Sequence, residues 1–231
     1  MVEATETTPV LYRWPANAAF GRPVPKTKFY EHGNVRTALR EKFIDDIQRI
    51  TWAYKLADDT IRLRGAITVP EIQIFTIETK GADVSNEVLA AIDKTVYFPI
   101  IFEVVSAERV RMAAAQKTLD SKTPRIATYF TTEWQAADAP RRPLPSALDL
   151  PSLHEALLAS LLPVATRVGE TVSEAIARLD RARKLQREIA ALEKKLRTER
   201  QLNRKLELRV QLKERESALA TLTAPAPSTR G

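Results

Sequence analysis

The sequence predicts an α+β fold, a compact domain of mixed helices and strands followed by a long helical C-terminal extension, either coiled coil or helical hairpin. Three observations predict it. Helix-like and strand-like periodicities alternate up to Trp134 in the order helix, two strands, helix, three strands. Between Gly169 and Pro225 neither glycine nor proline interrupts a run in which leucines recur three and four residues apart. Charge is segregated as well: residues 178–216 hold 14 Lys and Arg against 7 Asp and Glu, a surplus equal to the formal net charge of +7 of the whole chain. A neutral body therefore carries a basic helical appendage, the pattern of a surface for nucleic acid or for an acidic partner.

Residues 1–27 contain Pro9, Pro15, Pro23 and Pro25 and read as an extended arm laid over the body. From Val35 to Leu56, the positions Leu39, Phe43, Ile47, Ile50 and Tyr54 fall at helical intervals and predict one core helix. Thr60–Leu63 and Glu71–Glu78 are rich in β-branched and aromatic residues, with Gly65 and Pro70 between them, and predict two paired strands. Gly81 closes the second, and Val84–Lys94 then reads as a helix with Val88, Leu89 and Ile92 inward. Pro99–Val105, Arg109–Gln116 and Arg125–Phe130 complete an α+β domain over residues 28–138. A linker at 139–150 follows, containing the basic, proline-rich stretch Ala139–Pro145.

Ser152 with Glu155 three residues on fits a capping box and places a helix over 152–162, ending before Pro163. The basic helical region extends over 151–223, with a disordered tail expected at 224–231. Leu179, Ala182, Leu185, Ile189, Leu192 and Leu196 form one apolar seam, and Leu208, Leu212, Leu219 and Leu222 form another in a different register. Near Thr198–Asn203, then, either one long helix shifts its contact face or two helices turn back as a hairpin. The hairpin is the preferred reading, although no glycine or proline marks the turn.

Composition excludes several functional classes. Without cysteine there are no disulfides, thiolate metal sites or cysteine nucleophiles, which fits a reducing cytoplasm, the expected location. The most hydrophobic stretch, Val96–Val105, is too short to cross a bilayer, and the first residues lack the apolar core of a signal peptide, so no membrane association is expected. No glycine-rich loop followed by Lys-Ser/Thr cradles a nucleotide, and no serine elbow is present. The two histidines, His32 and His154, lack ligand-spaced companions and read as surface or capping residues. The aromatics, Trp52, Tyr54, Phe102, Tyr129 and Trp134 among them, read as core rather than as base-stacking platforms.

Two constellations carry candidate chemistry. Glu78 and Lys80 lie two apart at a strand end, on one strand face, where a carboxylate would hold Mg²⁺ and an ammonium would orient water. This E-x-K spacing resembles half of the PD-(D/E)XK nuclease motif; Asp58 or Asp59 would supply the second carboxylate, while alternation turns Glu71 to the opposite face. The plain alternative is a salt-bridged strand end. The second constellation is the basic run Arg181, Arg183, Lys184, Arg187, Lys194, Lys195, Arg197, Arg200, Arg204 and Lys205, suited to phosphate contacts that give affinity without sequence preference. Its alternative is a solvated helical face on which Glu188, Glu193, Glu199 and Glu207 pair with neighbouring cations.

Several strings together resemble a bacterial family known as a domain of unknown function: KFYE (Lys28–Glu31), FIDDIQRITWAYKL (Phe43–Leu56), EIQIFTIETK (Glu71–Lys80), IDKTVYFPIIF (Ile92–Phe102), YFTTEW (Tyr129–Trp134) and ERQLNRKLEL (Glu199–Leu208). The resemblance implies a position beside superfamily 2 helicases and DNA methyltransferases in loci like those of restriction and phage defence. It implies no active site. The favoured expectation is a non-catalytic accessory subunit without cofactor, docking on a helicase or methyltransferase and contacting the DNA backbone through its basic helices. The alternatives are a Mg²⁺-dependent nuclease using Glu78, Lys80 and Asp59, and a coiled-coil scaffold that forms homo-oligomers through the C-terminal helices.

Overall fold

The computed structural model describes residues 9–30, 35–118 and 124–224, and the chain divides into two compact units between Pro163 and Val164. His32, the first eight residues of the arm and the tail from 225 onward lie outside the described residues.

In the N-terminal unit a 3-10 turn at Ala16–Ala18 leads into β1 (Ala19–Pro23), followed by α1 (Thr27–Tyr30), α2 (Thr37–Asp46), β2 (Ile47–Leu56), α3 (Asp58–Ile61), β3 (Ile72–Thr79), α4 (Asn86–Thr95), β4 (Ile100–Ser106), β5 (Arg109–Thr118), β6 (Arg125–Thr131), β7 (Gln135–Ala136) and α5 (Leu150–Ala159). The strands form one sheet in the order β1-β2-β3-β4-β5-β6, with β7 also pairing β5. β3 and β4 are parallel, joined by the crossover helix α4; the other pairings are antiparallel. Phe43 of α2 and Val88, Leu89 and Ile92 of α4 bury one sheet face together with Ile47, Ile50, Phe75, Ile77, Phe102 and Val104. Alternation turns Ile74, Ile101, Met112 and Ala114 to the opposite face, where they are equally buried.

The expected single helix over Val35–Leu56 is instead α2 followed by a strand. The reason lies in register. Ile47 pairs with Thr79, but Ile50 pairs with Ile77, so one extra residue sits in β2 and both isoleucines face the same side of the sheet. A second shift lies between Trp52 and Tyr54. The first bulge thus turns the strand interval of two into an interval of three that imitates a helix, whereas the second turns Tyr54, paired with Ile74, to the opposite face, and the local chemistry of Ile, Thr, Trp and Tyr favours a strand.

Thr60–Leu63 is likewise not a strand. β3 takes β2 as its partner, and the chain reverses between them through α3, where the Thr60 hydroxyl accepts from Ala57 N at 2.9 Å and donates to Lys55 O at 2.7 Å. The later elements α4, β4, β5 and β6 fall within a few residues of their expected bounds.

The segment expected to be a linker is joined to the arm. Arg142 N donates to Leu11 O at 2.9 Å, Arg13 N donates to Arg142 O at 2.7 Å, and Leu11, Tyr12 and Trp14 are buried. Arg141 Nη1 reaches Glu103 Oε1 of β4 at 2.6 Å, and Trp14 Nε1 donates to that same oxygen at 2.8 Å. α5 begins earlier than expected because Asp149, not Ser152, is its N-cap: Asp149 Oδ1 accepts from Ser152 N at 2.8 Å, and Pro151 occupies the first turn.

The C-terminal unit consists of α6 (Val172–Thr198) and α7 (Leu202–Thr223), which pack antiparallel as a hairpin. Thr171 and Glu174 form the box that starts α6. Glu188 on α6 meets Arg215 on α7 at 3.0 Å, and Arg167 donates to the carbonyls of Thr221, Leu222 and Ala224 at the end of α7. Ala182 and Leu208 are buried in the seam, with Leu185, Ile189, Leu192, Leu212 and Leu219 half-buried. The turn needs no glycine because Glu199 and Gln201 are both extended with negative φ, and Glu199 Oε1 accepts the amides of Arg200 and Gln201 at 2.8 and 2.9 Å.

Candidate functional site

The hairpin sorts its cations by position along its length. Toward its base, Arg178 is paired with Glu170 at 2.7 Å, Arg183 with Asp180 at 3.7 Å and Lys184 with Glu188 at 4.0 Å. The Arg178 guanidinium and the Arg167 amide hold the Glu170 carboxyl down at about 2. Toward the turn, Arg204 pairs with Glu207 at 2.8 Å, whereas Arg187, Lys194, Lys195, Arg197, Arg200 and Lys205 form no ion pair among the described residues; nor does Arg181 nearer the base. All of these unpaired cations are exposed except Lys205, which is half-buried. Lys195, Arg200 and Arg204 line an open recess of about 600 Å³ beneath the turn, with Thr198 and Gln201. On α7, Leu202, Leu206 and Val210 are spaced by four residues and turned outward, at 71%, 50% and 59% exposure.

The E-x-K pair is assembled differently from a metal centre. Glu78 at the end of β3 is bound by Arg49 of β2, Nη2 to Oε1 at 2.5 Å. Lys80 Nζ donates to Ile44 O at 2.7 Å, its backbone N donates to Asp46 O at 2.8 Å, and Lys26 Nζ donates to Ile47 O at 2.8 Å. Two lysines thus close the C-terminal carbonyls of α2, where the helix dipole favours cations. Burial, and then the neighbouring Lys80, lower the pKa of Lys26.

Asp58 and Asp59 follow Leu56, which pairs with Ile72 at the opposite end of β3 from Glu78. The length of that strand separates them, roughly 20 Å at about 3.3 Å per residue. Asp59 is engaged there by Lys55 at 3.1 Å, with Glu71 4.0 Å from the same ammonium. The structure does not bring Asp59 to Glu78 and Lys80, and among the described residues no three His, Asp or Glu side chains gather as a metal site.

The family model for a domain of unknown function (DUF4391) matches residues 13–219. The chain belongs to this family. No curated protein and no solved structure matches it. Among its described residues no helix is long and apolar enough to cross a membrane.

This DUF4391 chain also holds a buried polar cluster that sequence reading missed. Lys117 of β5 and Asp93 of α4 are 2.6 Å apart with side chains 0% and 1% exposed. Tyr129 Oη donates to Asp93 Oδ2 at 2.7 Å, and Lys117 Nζ donates to the carbonyls of Val96 and Phe98 at 2.7 and 2.8 Å. Burial lowers the Lys117 pKa and raises that of Asp93, against the mutual attraction of the ion pair, while burial and then the Asp93 charge raise that of Tyr129. His154 of α5 is buried too, its pKa lowered to about 4 by desolvation and then by Lys117. A signal existed in the sequence: Ala113, Ala115 and Lys117 alternate on one face of β5, so a core position is lysine. Lys117, Asp93 and Tyr129 engage one another, which makes them a structural clasp between helix and sheet, whereas His154 Nε2 has no hydrogen-bond partner among the described residues.

Proposed function

We propose that the chain is a non-catalytic accessory subunit of a DNA-handling complex of restriction-like, antiphage type, docking on a helicase or DNA methyltransferase while its basic hairpin grips the DNA backbone. One observation carries the reading: acids pair with most cations toward the base of the hairpin, Arg181 excepted, whereas toward its turn Arg204 is paired and Arg187, Lys194, Lys195, Arg197, Arg200 and Lys205 have no ion pair among the described residues. A solvated coiled-coil face would distribute acids among those cations. Phosphates supply the missing negative charge without requiring a base-reading element. The outward stripe Leu202, Leu206 and Val210 supports the docking half of the reading, because an exposed apolar helix face beside cations suits a protein surface that is apolar and acidic.

The test is duplex-DNA affinity as a function of salt for the intact chain and for Arg197→Gln/Arg200→Gln/Arg204→Gln. The intact chain should lose affinity steeply as salt rises. In the triple variant the slope of log K against log salt should shrink by about 0.9 for each arginine that touches a phosphate. An unchanged slope, or a flat salt response in the intact chain, rejects DNA contact by the hairpin. Recovery of a helicase or methyltransferase in fixed stoichiometry from nuclease-treated lysate tests the docking half.

A further inference from the structure

We propose that the recess at the N-terminus of α4 is a binding site for a phosphate group, held by Arg111 Nη1 and the first backbone amides of the helix. The site belongs to the N-terminal unit and stands independently of the hairpin. The sequence places it where the parallel strands β3 and β4 end and the crossover helix begins, the end of an open sheet at which ligands are commonly received. Asp83, Asn86, Arg111, Thr131, Glu133 and Trp134 line a recess of about 470 Å³, the size of a small-molecule site.

Two independent features point to an anion. The first is the helix start. Ser85 is the N-cap of α4 but makes no capping hydrogen bond, and its Oγ is buried without a partner among the described residues. Val88 and Leu89 amides bond to Ser85 O, and those of Asn86 and Glu87, at the positive end of the helix dipole, have no acceptor among the described residues.

The second is Arg111, which is 5% exposed and therefore a buried cation. Asp83 Oδ1 accepts its Nε at 3.1 Å and its Nη2 at 2.5 Å, while Nη1 is buried with no hydrogen-bond partner among the described residues. An unsatisfied buried donor on a charged group is costly, and a guanidinium whose other edge is already locked by a carboxylate is preorganised for an oxyanion. Arg111 and Arg109 both lie over the Trp134 ring, 5.2 Å from guanidinium carbon to centroid. Asp83 and Glu133 are the opposing carboxylates. Asp83 is already engaged by Arg111, which leaves Glu133 as the one lining carboxylate without an ion pair among the described residues.

The experiment titrates inorganic phosphate into the full chain bearing Arg197→Gln/Arg200→Gln/Arg204→Gln, which weakens the hairpin as a competing anion site. Calorimetry and thermal shift are read against chloride at equal ionic strength. Saturable binding is expected. Asn86→Pro deletes one amide donor at a position where proline is tolerated, since Ser85 at φ −71° and ψ 146° already has the conformation favoured before proline. Thr131→Glu adds a carboxylate at an exposed lining residue without touching the Arg111–Asp83 pair. Each should weaken phosphate about tenfold or more.

No saturable binding, or equal affinity in both variants and the parent, overturns the site. Two arms identify the source of the phosphate. A nucleoside 5′-monophosphate that binds as well as a 5′-phosphorylated dinucleotide indicates a free nucleotide, and preference for the dinucleotide indicates a nucleic-acid end. Equal binding of the 5′-hydroxyl dinucleotide refutes phosphate recognition. Because the same three hairpin arginines are absent throughout and the recess lies in the other unit, failure here leaves the accessory-subunit reading intact.

Discussion

At the level of single residues, burial of His154 against Lys117 ties the stability of the sheet unit to pH. Lys80 closes α2 and Glu78 pairs with Arg49, while His154, which read as a capping residue, is buried near Lys117. With its folded pKa lowered to about 4 from an ordinary 6.5, His154 stays neutral in the folded chain. The unfolded chain binds the extra proton between those values, so stability is complete above about pH 6.5 and falls as pH drops toward 4, by about 3 kcal/mol in all. Urea unfolding across pH 4–7 should show this slope in the parent and lose it in His154→Leu. Taking the difference between the two profiles removes the contribution of Asp93, whose raised pKa acts with the opposite sign. Lys117→Met strands a buried carboxylate and should destabilise by about 3–5 kcal/mol, most of which Asp93→Leu should restore in the double variant. If the single variant costs under 1 kcal/mol, the pair is not held as an ion pair in the fold.

At the level of elements, legibility followed periodicity and failed where packing altered it. α4 was readable because Val88, Leu89 and Ile92 face inward at helical spacing, and β4 because Ile100, Ile101, Phe102, Val104 and Val105 flank one polar residue, Glu103, in a strand buried on both faces. β2 was not readable, since its two bulges depend on the register chosen by β3, a partner more than a dozen residues away. The start of α5 was misplaced because Asp149 and Ser152 both cap helices well, and only the fold shows which does. The basic candidate site was legible as charge; most of its ion pairs are local, three or four residues apart, and only that of Arg215 with Glu188 required the hairpin. The turn was the preferred of the two readings that the leucine registers left open, and it depends on Glu199. Backbone amides of Gln201 and Arg200 hold its carboxyl below the usual carboxylate range, so its cap is present at neutral pH and lost on acidification. Glu199→Ala should lower the melting midpoint of the hairpin without moving that of the sheet unit, measured by far-UV circular dichroism against near-UV signals from Trp14, Trp52 and Trp134.

At the level of the whole molecule, stability and charge are distributed unequally between the two units. The sheet unit buries both faces of its central strands, from Ile74 and Phe75 to Met112 and Ala113, whereas the hairpin closes one seam in which only Ala182 and Leu208 approach full burial along its middle. A two-helix unit with so small a core is marginal alone. It also carries the entire charge surplus, so like charges toward the turn oppose compaction until an anion or a partner neutralises them. Heating the full chain should therefore give two transitions, the hairpin first, and short duplex DNA at low salt should raise the first midpoint while leaving the second in place. The shift should grow with the logarithm of DNA concentration, as binding linked to the folded state requires, and vanish in Arg197→Gln/Arg200→Gln/Arg204→Gln. A single transition that DNA leaves unchanged would mean that the hairpin is neither the weak unit nor the surface that meets nucleic acid.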